Sequence, residues 1–482
     1  MKSLSLCIVL VCCCLSSTTF AANKLPKPSS TAQALFEKAE KDLLKLRVLT
    51  KNGHSQSSVG SAFLIGTSHL AVTNFHVVSQ IALEPETYFG EFKNTKGESG
   101  EVTVLAVDVL HDLAIVRVSQ QGTGFYQIPL DDKAQPLPKL HQGENLYSLG
   151  NPLDLGFSIT EGTYNGLNTR GFSEQYMFTG PVNPGMSGGP NITTDGEVAG
   201  VNVAHRLDGE LVSFLVPAHY AQKLLAKTPE DMTPPADFKP MIGEQLLEHQ
   251  NVMYDILLSK PFDIKELGEY KVPVRESDQV RCWGDSDDGS EKKVSSAGIS
   301  CSMESAIYVS DTLQTGHISM SHSYMRNKKL NIWQFSRLAS QRFAHQVYSS
   351  AHSTVLTPAA CTEDFVQLTN LKMRVQACVE AYHKFTGLYD FTLITASSDD
   401  ANTSLQSMMN IRGVAYDTGM KLINEFLQSL SRSEPIEGFD TDNKKLKFEK
   451  SKTIIIPPEI AEPMDSDTKN KAIETPKDDQ NE

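Results

Sequence analysis

Apolar and polar residues trade places over short distances through the first half of the chain. A helical stretch comes first, at 29–46, where Ala34, Leu35, Ala39, Leu43 and Leu44 recur at helical spacing behind a Ser30 or Thr31 cap. The pattern then turns β-like. Residues 46–50 alternate, 61–65 form an apolar run closed by Gly66, and 70–73 form another. Similar runs follow at 101–107, 113–118, 143–149, 157–162, 175–179, 198–204 and 211–216, separated by turns such as Gly150-Asn151-Pro152. Strands this short at this regular spacing predict an all-β sandwich or barrel. Pro217 ends the series and 218–226 reads as a helix. Pro229, Pro234, Pro235 and Pro240, with acidic residues between them, mark a linker at 229–242. The β-rich domain therefore runs over 44–228.

The second half has a different texture. Residues 243–258 look helical, 270–283 and 294–309 alternate like strands, and 331–348 place Ile332, Phe335, Leu338 and Val347 near one helical face. Strand-like stretches return at 365–382 and 388–396, before an amphipathic helix at 414–430. This predicts an α+β domain over 243–432. From 433 to 482 the chain is charged, proline-bearing and almost free of aromatics, the composition of a disordered tail. His317, His322 and the basic cluster Arg326, Lys328 and Lys329 read as solvated surface. Asp285-Ser286-Asp287-Asp288-Gly289 reads as an acidic turn, because Ser296 stands where a calcium loop would carry its closing glutamate.

The first residues change the picture of where the chain works. Lys2, an apolar run at 4–15 and Thr19-Phe20-Ala21 compose an export signal over 1–21, cleaved near Ala21, which leaves a helical segment at 22–43. The apolar run is too short to span a bilayer, and no later segment is long enough to do so, so no integral membrane segment is expected. Cys7, Cys12, Cys13 and Cys14 leave with the signal; Cys282, Cys301, Cys361 and Cys378 remain. An even number of cysteines in an exported chain suggests two disulfides, and neighbour pairing, Cys282 with Cys301 and Cys361 with Cys378, is the simplest of three connectivities. A formal net charge of -14 argues against a nucleic-acid partner.

The candidate chemistry lies in Asn183-Pro184-Gly185-Met186-Ser187-Gly188-Gly189-Pro190. So dense a glycine turn lets the backbone take positive φ and lets another molecule come close. A serine there suits a nucleophile, provided the chain also holds a histidine base and a group to orient it. His76, held between the apolar run 70–72 and Val77-Val78, is the base that stands out. Asp108 and Asp112 are both candidates for the orienting carboxylate, and spacing alone does not choose between them.

Thr73-Asn74-Phe75-His76-Val77-Val78, His111-Asp112-Leu113-Ala114-Ile115-Val116 and the turn 183–190 resemble the three signature blocks of chymotrypsin-fold, trypsin-like serine proteases, with the HtrA/Do-like bacterial branch the most similar. The order His, Asp, Ser is that of this class. The resemblance covers roughly 44–228. It implies a chymotrypsin-like double β-barrel and a serine endopeptidase acting on proteins or peptides without a cofactor or metal. It also implies Ser187 as nucleophile, His76 as general base, Asp112 as its orienting partner, and the N–H groups of Gly185 and Ser187 as the oxyanion hole. By analogy the strand through Val203, Ala204 and His205 lines the pocket for the residue before the scissile bond, with Asn202 where Glu-specific relatives carry histidine. That favours a small or medium apolar residue there.

Two departures stand out. Met186 replaces the Asn or Asp usual before the serine, so activation by a freed N-terminus is not expected. Asn191 opens a glycosylation sequon, but its place four residues past the serine should be a buried strand. The second half does not resemble the PDZ domains that commonly follow HtrA-like proteases. Envelope protein quality control in the periplasm, or action after secretion, is the expected setting. A protease-fold scaffold or chaperone with a partner-binding C-terminal domain is the competing reading, and a C-terminal domain that latches the protease shut is a third.

Overall fold

The computed structural model describes residues 29–130, 137–203, 212–289, 291–346 and 354–433. The export signal, Ala204, His205 and nearly all of the expected tail lie outside the described residues.

Two closed six-stranded antiparallel barrels form the first half. Barrel one comprises β1 (Leu43–Thr50), β2 (Gln56–Leu64), β3 (Leu70–Thr73), β4 (Tyr88–Asn94), β5 (Ser99–Asp108) and β6 (Leu113–Arg117). It closes because β1 pairs with β2 on one side and β4 on the other. Barrel two comprises β7 (Asn145–Gly150), β8 (Ser158–Asn168), β9 (Gln175–Phe178), β10 (Pro190–Thr193), β11 (Val198–Val203) and β12 (Ser213–Pro217). Closure removes exposed strand edges, and the short apolar runs of the sequence become inward-facing strands. Phe63, Ile115, Tyr147, Leu149, Ile192 and Val201 share one core across the barrel seam. Helix α1 (Ser30–Ala39), capped by Ser29, and α3 (Ala218–Leu225) pack against the same core. Asn191 sits in β10 and is fully buried, as its position demanded.

His76 lies in α2 (Phe75–Leu83), a short helix inserted between β3 and β4. The β-branched pair Val77-Val78 serves a short helix whose Phe75, Val77, Val78, Ala82 and Leu83 are buried.

In the second half, α4 (Lys239–Leu258) is a strut between two cores. Ile242 and Leu246 join Phe75, Val77, Val78 and Phe92 of barrel one, whereas Met253 and Leu257 join the core of the C-terminal sheet. A small three-stranded sheet is built from β13 (Asp263–Leu267), β14 (Tyr270–Val274) and, from the end of the described chain, β24 (Ser431–Arg432). The main sheet has seven strands: β15 (Val280–Asp287), β16 (Val294–Met303), β19 (His317–Asn327), β20 (Ala360–Gln367), β21 (Lys372–Ala381), β22 (Tyr389–Ser397) and β23 (Thr403–Val414). Their order is β15-β16-β19-β23-β22-β21-β20. β17 (Ile307–Ser310) and β18 (Leu313–Thr315) form a separate two-stranded hairpin. Helices α5 (Ile332–Gln346) and α6 (Tyr416–Gln428) complete an α+β half.

The disulfides Cys282–Cys301 and Cys361–Cys378 join directly opposed residues, so each ties an edge strand to its inner neighbour. His322 corrects the expectation of solvated surface: it is 2% exposed, bonded through Nδ1 to Ser407 Oγ at 2.8 Å and through Nε2 to the Pro273 carbonyl at 2.7 Å. Burial pushes its imidazole down to about 4. Among the described residues no helix is long and apolar enough to cross a membrane.

Candidate active site

A helix begins with N–H groups that have no partner of their own. In α2 the N-cap residue Asn74 makes no side-chain cap bond. The cap comes instead from Asp112, in the turn before β6. Its Oδ1 accepts the His76 N–H at 2.8 Å, and its carbonyl accepts the Phe75 N–H at 3.1 Å and Asn74 Nδ2 at 2.8 Å. Its other carboxylate oxygen, Oδ2, lies 2.7 Å from His76 Nδ1. One carboxylate thus starts the helix and orients the ring. Asp112 adopts φ 54° to do so, a left-handed conformation that costs a non-glycine residue roughly 1–2 kcal/mol. A carboxylate at Nδ1 holds the proton there and leaves Nε2 as the acceptor. Burial alone would push the His76 imidazole down; the charge and hydrogen bond of Asp112 outweigh it, Asp311 adds to them, and the imidazole is raised above its ordinary 6.5.

Asp108 does not reach His76. It binds His111 instead, Oδ2 to Nδ1 at 2.7 Å, and the His111 ring stacks on Tyr220.

The Ser187 turn is shaped by its glycines. Met186 N–H reaches the Asn183 carbonyl at 3.0 Å, with Pro184 and then Gly185 at φ 92° between them. Proline followed by a positive-φ glycine is the signature of a type II turn. A Cβ on Gly185 would lie 2.4 Å from the Asn151 carbonyl oxygen. Gly188, at φ 82°, is tighter still: a Cβ there would come within 2.3 Å of Ser61 O and Thr73 Oγ1 and 2.9 Å of Asn74 N. The turn thus presses against the start of α2. Gly60 measures the gap, since a Cβ on it would meet Val77 at 2.5 Å on one side and Ser187 O at 3.2 Å on the other. Ser187 is 4% exposed. Met186 is wholly buried, packed under Gly150.

Two further residues fix this turn. Ser61 on β2 donates its N–H to Ser187 O at 2.8 Å and its hydroxyl to Gly185 O at 2.6 Å, and its hydroxyl accepts the Asn151 N–H at 3.0 Å. Asn202 on β11 accepts the Gly188 N–H at 3.0 Å and donates to Gly189 O at 2.9 Å through its backbone. Its side chain joins Ser148 Oγ at 2.8 Å and Leu149 O at 2.9 Å. Fully buried, Asn202 is a knot between β7, β11 and the turn rather than a pocket wall. Val203 lies half-buried at the end of β11, opposite Phe214. Among the described residues no cluster suited to a metal ion occurs.

Residues 60–201 match the family described as trypsin-like peptidase domain. This stretch is a trypsin-like peptidase domain. Relatives include the protein named HhoB of Synechocystis sp. (31% identical over 178 residues, 35% of this chain and 40% of that one). The serine endoprotease DegS of Escherichia coli is 28% identical over 204 residues, 38% of this chain and 53% of DegS. Among solved structures, Deg5 matches with a TM-score of 0.35 at 20% identity, over 41% of this chain and 94% of that one. The chain therefore spans about half the length of these curated relatives or less. Such relatives, together with the two disulfides, are consistent with an extracytoplasmic protein. All of the peptidase-domain match lies before the C-terminal sheet.

Sequence reasoning missed Ser61 and the fastening role of Asn202. A serine inside an apolar strand, next to Gly60 in the run that packs against the glycine turn, was the available signal for the first.

Proposed function

We propose that this chain is an exported serine endopeptidase in which Ser187 attacks the peptide carbonyl. His76 Nε2 takes the serine proton and later gives it to the leaving amine, and Asp112 holds the ring and stabilises the imidazolium. The observation that carries this reading is the Asp112 carboxylate bonded at once to the His76 backbone and ring, with the Ser187 turn packed against the same helix start.

The N–H groups of Gly185 and Ser187 serve as the oxyanion hole. Pro184 O points at Leu153 N, 2.8 Å away. In a trans peptide the N–H points opposite the carbonyl, so the Gly185 N–H is turned away from the 151–154 loop. Losing one such donor costs about a hundred- to a thousandfold in kcat. Val203 at the end of β11 lines the substrate pocket, which prefers small or medium apolar residues. Cleavage of an export signal near Ala21 and a role in envelope protein turnover complete the proposal.

Fluorophosphonate labelling of the full chain tests it. Stoichiometric modification of Ser187, lost in Ser187→Ala and His76→Ala, is expected; an unmodified full chain would sink the reading.

A further inference from the structure

The hairpin β17–β18 belongs to the C-terminal half, yet it sits on the helix that carries His76. Ile307, Val309 and Leu313 share a core with Phe75, Val77 and Val78. Tyr308, between Ile307 and Val309 on β17, is half-buried against the edge of the same core. Its ring meets the His76 imidazole edge-on, centroids 5.9 Å apart at 75°, the T-shaped geometry that aromatic pairs prefer. The Tyr308 hydroxyl donates to Asp311 Oδ1 at 2.6 Å, and Asp311 Oδ2 accepts from Gln80 Nε2 at 3.4 Å. Gln80 lies four residues after His76, one turn along the same face of α2. The root of the hairpin is fixed as well. Thr315 Oγ1 lies 2.6 Å from Tyr382 Oη, which donates to Asp390 at 2.6 Å, and the Gly413 N–H reaches the same carboxylate at 2.9 Å.

We infer that Tyr308 and Asp311 are positioning residues for His76, so that the C-terminal half completes the active site. This rests on the peptidase reading above. Tyr308 sets the ring plane, and its hydroxyl aims the Asp311 carboxylate. The charged groups that face the imidazole are then Asp112 from the turn before β6 and Asp311 from the hairpin, and α2 carries no acid in its first turn. When Ser187 gives up its proton, both carboxylates stabilise the imidazolium. Burial raises the Tyr308 phenol well above its ordinary range, and Asp311 adds to this, so Tyr308 remains a hydrogen-bond donor.

The test uses the full chain. Tyr308→Ala should lower kcat about ten- to a hundredfold with KM nearly unchanged. Tyr308→Phe, which keeps the ring, should recover most of that loss. Asp311→Asn removes a negative charge that favours the imidazolium, so the acid limb of kcat/KM should move to lower pH. A second readout needs no turnover: NMR of histidine-labelled protein, with His76 assigned from His76→Asn. Its titration midpoint should fall in Asp311→Asn. Tyr308→Phe and Asp311→Asn expose no apolar surface, so they decide the matter even if Tyr308→Ala fails to fold. An unchanged His76 midpoint in Asp311→Asn overturns the inference, whatever the activities. So does a Tyr308→Ala effect confined to KM, which would make the ring a wall for substrate. If the midpoint moves but fluorophosphonate leaves Ser187 unmodified, the peptidase reading fails and the positioning of His76 stands.

Discussion

At Ser61 the backbone N–H and the hydroxyl both serve the Ser187 turn, while the carbonyl receives the Thr73 hydroxyl at 2.7 Å. The site is fully buried. Ser61→Ala leaves the Asn151 N–H without its partner, and a buried donor so orphaned costs about 1–3 kcal/mol. Urea denaturation should show that loss, and kcat should fall with KM little changed, because the same hydroxyl fixes the Gly185 peptide. At Asp112 the demand is chemical: Asp112→Asn should lower kcat by about four powers of ten by favouring the wrong tautomer. The raised His76 imidazole gives kcat/KM an acid limb centred above pH 6.5, since the base must be neutral to accept a proton. A limb centred below 6.5 would contradict the assigned environment. His76, Asp112 and Ser187 stand out in the sequence because each sits in a distinctive block. Ser61 and Asn202 do not: a serine or asparagine inside a strand looks the same whether it faces water or ties two barrels together.

Among elements, α2 shows what local pattern misses. Its N-terminal cap comes from Asp112, 36 residues later in the chain, and a window around His76 contains no such signal. The inner strands β19 and β23 were overlooked for a related reason. Strand β19 alternates Ile318, Met320 and His322 with serines. The buried partners of His322 come from β23 and β14, far away in sequence. Alternation was present, but histidine and serine made it look solvated. The hairpin root offers a pH test. Burial raises the Asp390 carboxyl to about 6, against the pull of the Tyr382 and Gly413 hydrogen bonds. A carboxyl raised on folding favours the protonated folded state, so its contribution is complete below the ordinary 3.8 and lost as pH climbs through about 6. Unfolding free energy measured across that window should fall with pH in the unaltered chain and fall less in Asp390→Asn.

For the whole molecule, the division into β-rich and α+β halves was legible from strand spacing and the change of texture near 229. The contact between them was not, because a shared core leaves no mark in either half alone. The disulfides span 19 and 17 residues. Loops of that length are worth about 3 kcal/mol each if the entropy of the unfolded chain dominates. Cys282→Ala with Cys301→Ala should therefore lower the urea midpoint, with the peptidase barrels still giving their own near-UV signal.

The core that joins α2 to Phe238, Ile242, Val309 and Leu313 also sets an order of events. Ribosomes deliver the barrels first and the hairpin later. Until then the helix bearing His76 has an uncovered apolar face and lacks the aromatic edge and second carboxylate that steady its ring. The newborn chain would thus carry its cutting machinery unassembled through synthesis, and competence would arrive with the last domain to fold. Such a delay would spare the chain, and whatever carries it, from premature cleavage.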